Sequence, residues 1–151
     1  MTSSNAPTFA IVMLLTGIGI PILAALNGGL GARLGSPLAA STILFGLAFL
    51  IAVTGALATG TFGQIRFSSD IPLHFYFGGL FVAFYVISVT FIAPKFGVGN
   101  AIFFVLVGQL ASAAVIDHFA LFGSMRFPVD AKRLAGIALM VAGVWLARRT
   151  G

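Results

Sequence analysis

Of the 151 residues in the chain, 60% are hydrophobic and only 7% are charged, against roughly 25% charged in an ordinary soluble domain. With a mean hydropathy of +1.14, this composition excludes a water-soluble globule and leaves no length for a separate soluble domain. The net charge of +5 comes from eight Lys/Arg scattered singly or in pairs between apolar stretches, so the cations read as headgroup anchors and topology determinants rather than as a nucleic-acid surface.

Five stretches reach spanning or near-spanning length. In hydrocarbon each must satisfy its own backbone donors and acceptors, so each is expected to be a helix. The first runs over about 9–27 and opens without Lys or Arg, which distinguishes it from a secretory signal and marks it as a retained span. Pro21 removes the N–H that would bond the Gly17 carbonyl and predicts a kink. Gly17, Pro21 and Gly28 share one face and form a candidate hinge, with a glycine-rich connection expected from Gly28 to Gly35.

The second span, 37–60, begins after Ser36-Pro37, with proline in a tolerated early-turn position. Ala48, Ala52, Ala56 and Gly60 recur along it every four residues, a stripe that lets another helix approach closely. A polar connection over 61–70 leads into the third span, 71–93, which is rich in aromatics and closed by Pro94-Lys95. Tyr85 sits near its centre with Ser88 one turn on. The fourth, 98–116, carries Asn100 near its start and Gln109 close to its middle, and Asp117-His118 closes it.

The fifth, 134–147, is short, about 21 Å at ~1.5 Å per residue against a hydrocarbon core of about 30 Å. Lys132-Arg133 before it and Arg148-Arg149 after it can snorkel to two opposite interfaces, so it reads as a true span. Together the five stretches predict a single five-helix transmembrane domain.

Five crossings put Arg66, Arg126, Lys132 and Arg133 on one side of the membrane and Arg33, Lys95, Arg148 and Arg149 on the other. Orientation follows an excess of Lys/Arg in cytoplasmic loops, and here the two sides are equal. Chance accounts for such a tie, with loop folding still fixing one topology. The alternative is that the chain inserts both ways and pairs with an inverted copy, reproducing in two chains the inverted repeats that many secondary transporters hold in one.

The run Gly108-Gln109-Leu110 through Asp117-His118-Phe119, followed by Phe122-Gly123, resembles the fourth-helix signature of the YdcZ-type inner-membrane proteins, a half-sized branch of the drug/metabolite transporter superfamily. Asn27 with its glycine-rich turn, Ala93-Pro94 before Gly97, and Arg133 with Gly136 and Gly143 extend the resemblance over nearly the whole chain. Ala120 departs from it, standing where glycine is expected. The resemblance implies a bacterial inner-membrane protein of five helices, antiparallel homodimers and transport of a small substrate. The expected architecture is therefore an all-α membrane protein forming one half of a 5+5 inverted-repeat dimer.

Polar groups in hydrocarbon are costly and tend to be functional, although a hydrogen bond between helices is a frequent alternative. Gln109 is the strongest candidate for lining a substrate path, and Ser112 shares its face one turn later. Asn27 either caps a broken helix end or contacts substrate. Tyr85 and Ser88 supply an aromatic wall and a hydroxyl to the same cavity, or belong to the core. Asp117 and His118 are candidates for ion coupling, but adjacent helix positions do not face each other, and Asp117 can instead pair with Arg126 or Lys132 as an anchor.

Spans one to three contain no Asp or Glu, which disfavours exchange of organic cations. There is no cysteine, no catalytic triad, no metal-ligand cluster and no phosphate-binding motif, so no enzyme, metal or cofactor is expected. The expectation is a secondary transporter, an exporter, that moves a small polar or amphiphilic solute by alternating access as a dual-topology antiparallel homodimer. The alternatives are a dual-topology channel and a membrane assembly protein without transport activity.

Overall fold

The structure, a computed structural model, describes residues 5–147. Arg148 and Arg149, half of the cation count on one side, lie outside the described residues. Five α-helices, with three short 3-10 segments between them, make up the described chain: α1 (Ala6–Leu34), α2 (Pro37–Ala58), α3 (Gly78–Phe96), α4 (Val98–Phe119) and α5 (Ala131–Ala147). Four helical stretches are long and apolar enough to cross a membrane, the third of them formed by Leu73–Phe96. Contacts gather into two compact units that divide between Lys95 and Phe96.

In the first unit, α1 corrects one expectation. The stretch from Gly28 to Leu34 is helix, not connection, and Pro21 lies inside this helix. Glycines are poor helix formers, but packing overrides propensity here. A Cβ on Gly28 would lie 3.1 Å from Pro94 Cγ, and one on Gly31 would lie 3.2 Å from both the Pro37 backbone and Thr90 Cγ2. Only at Gly35, with φ +65°, does the chain turn, using the left-handed conformation that glycine adopts without cost. The turn is two residues long because Ser36 then caps α2, its hydroxyl accepting from the Ala39 N–H at 3.2 Å.

The third span also starts later than expected. Leu73–Phe77 form a 3-10 segment and the α-helix begins at Gly78. Tyr76 ties this approach to the preceding connection: its hydroxyl accepts from the Ser68 N–H at 3.3 Å and donates to the Arg66 carbonyl at 3.4 Å, while its ring meets Phe67 at 5.2 Å. At the far end α3 continues through Pro94 to Phe96, since a proline this close to the terminus removes only the bond to the Thr90 carbonyl. Lys95 folds back with its ammonium 3.7 Å from the Phe91 ring centre, a cation–π contact.

Buried residues of this unit gather where α1 ends, α2 begins and α3 ends: Ala24, Asn27, Gly28, Gly31, Ala40, Ser41, Val86, Val89, Thr90 and Ala93. The first half of α1, the second half of α2 and the start of α3 are largely uncovered. The three helices are therefore joined at one end only.

The second unit is a hairpin of α4 and α5. α5 begins three residues before the expected start and includes Lys132 and Arg133 in its first turn. Asp130 begins it, with its carboxylate accepting from the Arg133 N–H at 2.7 Å, which satisfies one of the donors a helix start leaves open. The connection holds Ala120 at φ +52° and Phe122 at φ +56°, so the position at which the resemblance expects glycine does require a left-handed backbone.

Candidate functional site

The first polar cluster forms at the junction of the three helices in the first unit. Asn27, 5% exposed, and Thr90, 2% exposed, meet there. Thr90 donates to the Val86 carbonyl at 2.7 Å, which commits its one hydrogen. Its oxygen can then only accept, and Asn27 Nδ2 donates to it at 2.6 Å. This ordering fixes which way the Asn27 carboxamide points. Asn27 thus binds α1 to α3 and is not a cap on a broken helix. It also lines an apolar groove of about 310 Å³ between α1 and α2, with Leu23, Leu26, Leu30, Ile43, Leu44 and Leu47.

The predicted hinge residues separate. Gly28 belongs to the tight junction, in contact with Pro94. Gly17 is exposed, and a Cβ added there would meet nothing within 4 Å. Half-buried Pro21 lies at the boundary between the covered and uncovered halves of α1. Ala48, Ala52 and Gly60 are exposed and Ala56 half-buried, so the small-residue stripe packs little within its own unit.

Tyr85 and Ser88 are half-buried on α3. The Tyr85 hydroxyl is enclosed and bonds to nothing among the described residues. A buried hydroxyl without a partner is costly.

On α4, Gln109 and Ser112 are both exposed. Ser112 donates to the Gln109 main-chain carbonyl at 3.1 Å, which satisfies its hydrogen within the helix. The Gln109 carboxamide bonds to no group among the described residues. It lies at the midpoint of a 22-residue apolar helix, the depth at which an unpaired amide is most expensive.

Asp117 pairs neither with Arg126 nor with Lys132. Its carboxylate holds Arg133 at 2.6 Å, both side chains about a third exposed, and Arg133 also donates to the Phe127 carbonyl at 3.1 Å. His118 Nδ1 accepts from the Val129 N–H at 3.0 Å, while the Phe127 N–H reaches the Asp117 carbonyl at 2.9 Å. These two residues stitch the α4–α5 connection closed. Among the described residues no group of three or more His, Cys, Asp or Glu comes together.

Two partners escaped sequence reasoning, Thr90 and Arg133. Thr90 shows no signal of its own, being one hydroxyl on an apolar helix 63 positions from Asn27. Arg133 is legible as a cation opening α5, but its register against Asp117 depends on the intervening turn.

Toward its other end the two helices of the hairpin border common grooves. Gly97, Gly99, Asn100 and Phe103 share a groove with Ala147, and Phe103, Phe104 and Val107 share another with Val141, Val144 and Trp145. α5 therefore runs antiparallel beside α4 from the Asp117 end to the Asn100 end.

The family model described as "Putative inner membrane exporter, YdcZ" matches residues 8–146. No curated protein and no solved structure matches the chain.

Proposed function

The chain belongs to the YdcZ family of inner-membrane exporters, and from that premise we propose that this multi-pass inner-membrane transporter works as an inverted homodimer by alternating access. The observation that carries the reading is the α4–α5 hairpin. α5 keeps company with α4 from Arg133 beside Asp117 to Ala147 beside Asn100, so if α4 crosses the bilayer, α5 crosses it too. A fifth crossing makes the number odd and leaves the cations of the sequence divided four and four. With no excess on either side, both insertions are open to the chain, and two opposed copies generate the inverted repeat around which secondary transporters build a midplane site.

The described spans carry no charged side chain in their interiors; Arg33, Lys95, Asp117, Lys132 and Arg133 all lie in first or last turns. The candidates to line a path are, in the first unit, Tyr85 and Ser88, with Asn27 at its closed end, and, in the second unit, Gln109 and Ser112. Amides and hydroxyls suit a small polar or amphiphilic solute. Residues 6–20 of α1 are the moving part in this reading, swinging at Pro21 while the Asn27–Thr90 junction holds the second half of the helix still. Exchange between the two copies of the open and closed arrangement turns the site from one face to the other.

The test is flux in liposomes with purified protein. Saturable, counter-ion-dependent movement of a solute that falls at least tenfold in Gln109→Ala supports the carrier. Very fast passive conductance supports a channel of two opposed copies, and intact assembly with no flux of any solute supports an assembly role.

A further inference from the structure

Resting on the inverted-pair reading above, the geometry points to the place where the two copies meet: α4 crosses the partner copy's α4 at Gln109, and the two carboxamides hydrogen-bond to each other on the axis.

A two-fold axis lying in the membrane plane carries each depth to its mirror depth. Only residues at mid-depth can therefore meet their own counterparts. Gln109 is at the centre of Val98–Phe119 and its side chain is unpaired among the described residues. A primary amide is self-complementary, with N–H groups to give and a carbonyl to receive. No second residue type is needed to satisfy it, which is what a pair of identical chains can provide.

The face on which Gln109 lies is turned away from α5, and Gln109, Ser112 and Ala113 are exposed on it. At about 3.6 residues per turn, Ile102, Val105, Gln109, Ser112, Ala113 and Ile116 share one side of α4. Phe103, Val107 and Asn100, which line grooves with α5, fall on the opposite side. Ser112 and Ala113 are small and exposed, and Gly108 borders them with open space where a side chain would be. Small residues around a central amide are the composition that lets two helices approach closely enough in lipid to hydrogen-bond. Hydrocarbon offers the amide no partner, so lipid is a poor alternative occupant for this face.

The arrangement makes a register prediction that the absence of cysteine renders testable. In an inverted crossing centred on 109, position 105 faces position 113 of the other copy, and 102 faces 116. Single variants Val105→Cys, Ala113→Cys, Ile102→Cys and Ile116→Cys, carrying tags of two sizes, are co-expressed in pairs as full chains and oxidised in the membrane. The expected products are 105/113 and 102/116 mixed dimers, with little 105/105 or 102/102, whose like positions stand about 12 and 21 Å apart in depth. Two hydrogen bonds, each worth roughly a factor of three in association, make Gln109→Leu about tenfold weaker in forming the 105/113 product.

Mixed products that are insensitive to Gln109→Leu overturn the amide pair. Absence of 105/113 product, when a Cys in the α4–α5 connection is labelled from both membrane faces, overturns the crossing while leaving the inverted pair intact. Like-with-like products together with one-sided labelling overturn both.

Discussion

Ala120 makes its point through one dihedral angle. Its φ of +52° costs an L-residue roughly 1 kcal/mol relative to glycine, and its side chain is not part of the buried set. Ala120→Gly is therefore expected to stabilise the chain by about 1 kcal/mol, partly offset by the greater freedom of glycine in the unfolded chain; denaturation by titrated detergent or heat checks it. Thr90 is the opposite case. Thr90→Val keeps the shape but removes the acceptor for the Asn27 amide, and leaving that buried donor unpaired costs about 1–3 kcal/mol. The double change Asn27→Leu with Thr90→Val should recover part of the loss, because no donor is then stranded. If the single Thr90→Val variant unfolds at the parent temperature, the Asn27–Thr90 bond does not hold the junction and Asn27 is free for the path. The resemblance locates the first of these positions by its expected glycine, but nothing in the sequence marks Thr90, since the pair is made by two helices distant along the chain.

At the scale of the helices, glycine content is ambiguous. The run from Gly28 to Gly35 is legible as a departure from ordinary helix and suggests a loop, yet only Gly35 has a positive φ. At Gly28 and Gly31 α1 comes so close to Pro94, Thr90 and Pro37 that an added Cβ would press on them at 3.1–3.2 Å, and a local pattern does not distinguish a glycine that turns the chain from one that admits a neighbour. Alanine substitutions separate the two uses. Gly31→Ala presses on the Pro37 backbone and is expected to destabilise by roughly 1–3 kcal/mol. Gly28→Ala meets the edge of a proline ring and should cost less. Gly17→Ala meets nothing and should be neutral or stabilising by up to about 1 kcal/mol through helix propensity. The same series tests the hinge: if bending occurs at Pro21 and Gly17, then Gly17→Ala lowers flux without lowering stability. The late start of α3 is not legible either, because Leu73–Phe77 contains no Gly, Pro, Asp, Glu, Lys or Arg to mark a break.

For the whole molecule, the proposed use of both orientations rests on an even cation count, and that balance can be upset deliberately. Arg66 and Arg126 belong to one side of the predicted topology, Arg33 and Lys95 to the other. Arg66→Ala with Arg126→Ala leaves an excess of two on the second side, and Arg33→Ala with Lys95→Ala leaves the same excess on the first. Cytoplasmic loops retain the surplus, so each doubly substituted chain is driven into a single orientation, and the two orientations are opposite. The contacts at stake are slight: among the described residues Arg33 bonds only the Gly29 carbonyl, at 3.3 Å, and Lys95 loses its place over Phe91, an interaction worth about 0.5–1 kcal/mol at an exposed site. Neither folding unit depends on them. Expressed alone, each variant should label from one membrane face and transport at background level, because no inverted partner is present. Expressed together, they should restore flux to near the parent level, since each supplies the orientation the other lacks. Full activity from either variant alone, with labelling confined to one face, would show that a single orientation suffices and that the balance of charge has no part in the mechanism.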